Sequence, residues 1–125
     1  MNIKGISWLG TQTEKFSEMV QFFEKISGHP PRLLMPEYAM FVLPNGDRLE
    51  VFAPEPRTPE FSEQPIAGFL VENIEAVREE LEADGIEFIG PIHTGPRGYA
   101  WSHFRAPDGH IYELNHNPNH PISQI

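Results

Sequence analysis

Hydrophobic and polar positions along the chain follow one succession of periods, and that succession occurs twice. Ile3 to Gly10 has the composition of a strand. Thr11-Gln12-Thr13-Glu14 has the form of a capping box, and Phe16, Met19, Val20, Phe23 and Ile26 then recur at helical spacing until Gly28 stops them. An extended segment follows, Arg32 to Pro36, and then two strand-like runs, Ala39 to Leu43 and Arg48 to Ala53. Farther on, Ile66 to Val71 is again a strand, Asn73 is placed to cap a helix, and Ile74, Val77 and Leu81 form an apolar stripe ending at Gly85. Ile86 to Ile92 is extended, and Tyr99 to Arg105 and His110 to Asn115 make a second pair of runs.

The two halves also match residue by residue. Pro44-Asn45-Gly46-Asp47-Arg48-Leu49-Glu50-Val51 recurs 63 positions later as Pro107-Asp108-Gly109-His110-Ile111-Tyr112-Glu113-Leu114. Asn-Gly and Asp-Gly between strand-like runs signal hairpins, read here as two-residue turns whose central positions both need positive φ. Each half is thus predicted as β-α-β-β-β, closing on a strand that carries one glutamate. The expected organisation is a first module over 1–53, a linker over 54–65, a second module over 66–117 and an irregular tail over 118–125, as one domain. Pro54, Pro56, Pro59 and Pro65 give the linker its semi-rigid character. A lone module of about 55 residues buries too little surface to be comfortable by itself, which favours two modules sharing a sheet, or four in a dimer.

Composition narrows the function classes. The 125 residues are 39% hydrophobic, enough for a core. The longest apolar run, Tyr38 to Leu43, is far short of the roughly 20 residues a membrane helix needs. The N-terminus does not lead into a signal-peptide core, and the cytoplasm is the expected compartment. Without cysteine there is neither a disulfide nor a thiolate metal site. A formal charge of −9 and the absence of clustered Lys and Arg argue against nucleic acid and anionic membranes as partners. No nucleophile elbow, phosphate loop, dinucleotide fingerprint or His-Glu-x-x-His occurs.

Duplicated βαβββ modules, each ending in a Pro-(Asn/Asp)-Gly hairpin and a Leu-Glu or Tyr-Glu strand, resemble the vicinal oxygen chelate superfamily, which includes glyoxalase I, extradiol dioxygenases and bleomycin-binding proteins. The resemblance covers about residues 3 to 117. It implies an α+β fold in which the two modules form a curved mixed sheet, a cup with helices on its outer face, and it implies a homodimer. In that family metal ligands come from the first and last strands of each module. The last-strand positions match as Glu50 and Glu113, whereas the first-strand positions fall on Gly5 and Ile66, which cannot bind a metal. The resemblance therefore implies a divalent ion (Zn, Ni, Mn or Fe) only if other donors substitute, His103 being the first candidate.

Taking both glutamates as facing the cup, alternation along the strands adds Arg48, Phe52, Ile111 and Asn115, and on the first strands Gly5, Ser7 and Leu9, then Ile66, Gly68 and Leu70. Two-residue hairpin turns place Phe41 and Phe104 opposite the glutamates, and His103 on the far face unless a bulge intervenes. Trp8 and Trp101 then point away from the cup. The expectation is an apolar cup walled by Phe41, Phe52, Phe104, Ile66 and Leu70 with Glu50 and Glu113 on its floor, Arg48 beside them and Arg97 at the rim for a ligand anion. Two readings follow: a protein that binds a small organic molecule without a complete metal site, or a metal-dependent glyoxalase-like lyase or isomerase with Glu113 as general base, a metal-free epimerase using the Glu50–Glu113 pair being its variant. Structural pairing of the glutamates with Arg48 or Arg105 is the simpler alternative.

Overall fold

The computed structural model describes residues 1–54 and 64–125, so the central part of the expected linker, 55–63, lies outside the described residues. The chain divides into two compact units, residues 8–66, and residues 67–125 together with 1–7. The fold is α+β with the expected βαβββ order in both halves.

The first module contains β1 (Gly5–Gln12), α1 (Phe16–Ser27), β2 (Leu33–Met35), β3 (Tyr38–Val42) and β4 (Arg48–Phe52). Its strands lie in the order β2-β3-β4-β1, with β1 parallel to β4 and the other pairs antiparallel. The helix begins later than the capping box suggested. Lys15 is the N-cap and makes no side-chain cap bond, because β1 continues through Gln12 and Thr13 Oγ1 instead accepts from the Lys15 N–H. Gly28 ends the helix in the left-handed conformation (φ 77°), as its position predicted. Val20 and Phe23 bury one face of α1 against Ala39, Phe41 and Val51, with Phe23 edge-on to Phe41 at 6.1 Å. Burying each large side chain contributes about 1.5–3 kcal/mol.

The second module repeats the plan with β5 (Ile66–Leu70), α2 (Ile74–Ala83), β6 (Glu87–Thr94), β7 (Ala100–Arg105) and β8 (Ile111–His116), ordered β5-β8-β7-β6 with β5 parallel to β8. Asn73 caps α2 as expected, its Oδ1 accepting from the Ala76 N–H at 3.0 Å. Ile74 and Val77 pack against Val71, Ala100, Phe104 and Leu114. After β8 the chain makes a short 3-10 turn over Pro121–Gln124.

Both hairpins correct the expected register. Leu43 N–H donates to the Asp47 carbonyl and Gly46 N–H to the Leu43 carbonyl; Ala106, His110 and Gly109 repeat the arrangement. The loops therefore hold three residues, Pro44-Asn45-Gly46 and Pro107-Asp108-Gly109, with the glycine alone at positive φ (95° and 88°). Proline cannot take the positive φ of a type I′ turn, but it suits the second position of a type I turn that ends in a left-handed glycine. The one extra residue moves the neighbours of the glutamates on β3 and β7 by one place.

Candidate functional site

In each module the strands have one face covered by the helix and one that carries the glutamate. Opposite Glu50 stand Met40 on β3 and Gly10 on β1; opposite Glu113 stand His103 on β7 and Gly68 on β5. Phe41 and Phe104, expected opposite the glutamates, are instead paired with Leu49 and Tyr112 and packed in the two helix-side cores. Phe104 also borders a shallow apolar cleft with Phe69 and Tyr112 on that side. Trp8 and Trp101, expected to point away, share the faces of Glu50 and Glu113, while Leu9 pairs with Leu49. On β5, Gly68 and Leu70 pair with Glu113 and Asn115, and Ile66 precedes them at the same alternation.

Around Glu113 the donors and acceptors are matched. Its side chain is buried (residue 2% exposed), with Oε1 3.2 Å from His103 Nε2 and Oε2 accepting from Asn115 Nδ2 at 3.5 Å. Asn115, 1% exposed, is itself fixed by the Ser7 hydroxyl, which donates to Asn115 Oδ1 at 2.7 Å. An isolated carboxylate buried this deeply costs several kcal/mol, and this chain of partners offsets that cost. Farther along the same face His93 stacks on Trp101 with ring centroids 5.3 Å apart, and Tyr99 lies tilted against Trp101 at 5.9 Å.

Around Glu50 the setting is more aromatic. The Tyr38 hydroxyl donates to Glu50 Oε2 at 2.7 Å, and Arg48 Nη1 stands 3.9 Å from the same oxygen. Burial first, and the neighbouring Glu50 carboxylate second, push the Tyr38 phenol well above its ordinary range, with the Arg48 charge opposing. Phe52 lies 5.2 Å from the Tyr38 ring, and the Trp8 indole fills the space a side chain at Gly10 would need. Arg97 occupies an exposed turn with left-handed backbone (φ 60°), and its carbonyl accepts from Asn119 Nδ2 at 3.4 Å. The structure thus sets Arg48 and Phe52 on the face of Glu50 and Leu70 on the face of Glu113, but Phe41 and Phe104 on neither. Sequence reasoning missed Tyr38, Trp8 and Trp101. The proline in each turn was the signal that would have found Tyr38 and Trp101; Trp8, set by the parallel pairing of β1 with β4, had no such signal.

A family model described as Glyoxalase/Bleomycin resistance protein/Dioxygenase superfamily matches residues 5–114. The chain belongs to this superfamily. Solved structures agree on the fold. A variant of Streptomyces coelicolor methylmalonyl-CoA epimerase in complex with 2-nitronate-propionyl-CoA superposes with a TM-score of 0.71 at 14% identity, covering 93% of this chain and 99% of its own. The Mycobacterium tuberculosis methylmalonyl-CoA epimerase gives 0.68 at 15% identity, covering 91% and 88%. A Legionella pneumophila structure titled NAD-dependent benzaldehyde dehydrogenase gives 0.65 at 20% identity, covering 87% and 96%. No curated protein matches.

A divalent metal, which the superfamily resemblance raises, does not fit the donors of this member. The face of Glu50 receives Gly10 and Trp8 from β1, and the face of Glu113 receives Ile66, Gly68 and Leu70 from β5; none of these ligates. Among the described residues no group of three or more His, Asp or Glu stands together to hold an ion. Borderline divalent ions need a fuller set of imidazole and carboxylate donors than His103 and Glu113 provide. His116 and His120 are engaged locally, with the Val71 carbonyl and the Ile122 N–H. No helix among the described residues is long and apolar enough to cross a membrane.

Proposed function

We propose that this superfamily member binds a small organic molecule on a helix-free sheet face that carries a buried glutamate, Glu50 in the first module or Glu113 in the second, in the cytoplasm and as a homodimer, and that binding needs no metal. The observation that carries this reading is the pairing of both buried carboxylates with protein donors, at positions where the first strands supply glycine and apolar residues in place of metal ligands. Carboxylates and aromatic rings on otherwise apolar faces suit orientation and specificity in a small-molecule site. The test is a thermal-shift screen of organic molecules, with each hit titrated before and after treatment with a chelator. Affinity that survives chelation, with ligand recovered unchanged, supports the reading. Binding that chelation abolishes contradicts it.

One contact favours a second reading. His103 Nε2 and Glu113 Oε1, 3.2 Å apart, are close enough to share a proton, so Glu113 would take a proton from an acidic C–H in a lyase or isomerase. That reading requires a hit to be converted, and the conversion to be lost in Glu113→Gln.

A further inference from the structure

The small-molecule reading leaves the ligand's chemistry open, and the first module narrows it. Three aromatic side chains from three strands stand around Glu50, with Met40 directly across from it on β3. Tyr38 of β3 pairs with Phe52 of β4, their rings 5.2 Å apart and inclined by 46°. On the other flank β1 sets Gly10 beside Glu50 and Trp8 two residues earlier on the same face. A Cβ on Gly10 would come within 2.1 Å of Trp8 Cη2, so the indole lies where Gly10 has no side chain, next to the carboxylate. Phenol and phenyl thus flank Glu50 on one side and indole on the other.

The carboxylate is only half used. Glu50 is 7% exposed, and its contacts with Tyr38 and Arg48 both fall on Oε2; Oε1 accepts no hydrogen bond among the described residues. Glu113 differs, since His103 takes one of its oxygens and Asn115 the other. Ring faces carry negative potential, and a substituted ammonium presents positive charge on an apolar periphery, so rings and carboxylate favour the same ligand. Anions meet the opposite field, and a neutral molecule gains from contact area alone. The chain's net charge of −9 also favours the approach of a cation.

From this geometry we infer that the Glu50 face of the first module is a binding site for an organic cation, an alkyl- or aryl-substituted ammonium held among Trp8, Tyr38 and Phe52 with its charge toward Glu50. The inference rests on the small-molecule reading above and names its ligand class. Arg48, 3.9 Å from Oε2, balances the carboxylate on one side, and the ligand takes the other.

Calorimetric titration of the whole chain with choline, with benzyltrimethylammonium and with dimethylbutanol, the uncharged carbon isostere of choline, tests it. Choline should bind at least about tenfold more tightly than its isostere. Glu50→Gln, which keeps the shape of the side chain, should erase that difference with the circular dichroism spectrum unchanged, and Trp8→Leu should weaken both cations by about tenfold. Should Trp8→Leu not fold, Glu50→Gln decides alone. Equal affinity for choline and its isostere, or a preference that survives Glu50→Gln, overturns the inference. Saturable binding of neutral or anionic molecules without cation binding removes the cation class and keeps the small-molecule reading. No binding of any screened molecule removes both.

Discussion

Glu50 and Glu113 occupy matching places in a duplicated module, yet the chain treats them differently. In the second module the carboxylate is the middle of a buried polar chain, Ser7 to Asn115 to Glu113 to His103, in which each of its oxygens has a partner. In the first module one phenol and one distant guanidinium meet a single oxygen, and Met40 and aromatic rings stand on the same face. The helix-side cores, by contrast, are alike: a helical stripe packed on alternating apolar residues of the sheet. The two modules share what holds each together and differ in the residues around each glutamate. The second module's carboxylate has a partner at each oxygen, whereas the first has none at Oε1 among the described residues.

The largest difference should appear when each carboxylate loses its nitrogen-bearing neighbour. His103→Leu leaves Glu113 buried without its imidazole and should lower unfolding stability in urea by about 3 kcal/mol. Arg48→Leu removes a contact at 3.9 Å and should cost about 1 kcal/mol or less. Similar losses in the two variants would break the comparison. Next in size is Gly10→Ala, whose methyl group collides with the Trp8 ring. It should cost about 2 kcal/mol and shift tryptophan emission as the indole is displaced. Tyr38→Phe, which deletes the one short hydrogen bond to Glu50, should cost about 1 kcal/mol at neutral pH.

The smallest effect is a pH slope. The folded-state Tyr38 phenol titrates above its unfolded value of 10.0, so the unfolded chain ionises first as pH rises. Stability from the neutral phenol is intact below that value and declines above it. Urea midpoints measured across alkaline pH should therefore fall less steeply in Tyr38→Phe than in the parent above about pH 10. Parallel profiles would remove Tyr38 from the account.

Much of the fold was legible because local signals and global topology agreed. The stripe from Ile74 to Leu81, the Asn73 cap and the stop at Gly28 needed no tertiary information. The capping box at Thr11-Gln12-Thr13-Glu14 was not realised, since sheet pairing of Gln12 with Phe52 outweighed a local preference. The site was legible as two glutamates on two sheet faces and less so in its neighbours. A single residue of loop length decides whether a phenylalanine or a histidine stands opposite Glu113, and alternation carries that error along the whole strand. Pro107 before Asp108-Gly109 was sufficient to choose the longer loop. The Ser7–Asn115 bond spans 108 positions and has no local signature at all.

Metal content is the most direct test of the central claim that the ligand site works without an ion. Untagged protein would be dialysed separately against Zn²⁺, Ni²⁺, Mn²⁺ and Fe²⁺, then against buffer, and assayed by plasma mass spectrometry beside Glu113→Gln. The account predicts retained metal well below one equivalent, the same in both proteins. One equivalent held by the parent and lost in Glu113→Gln would contradict it.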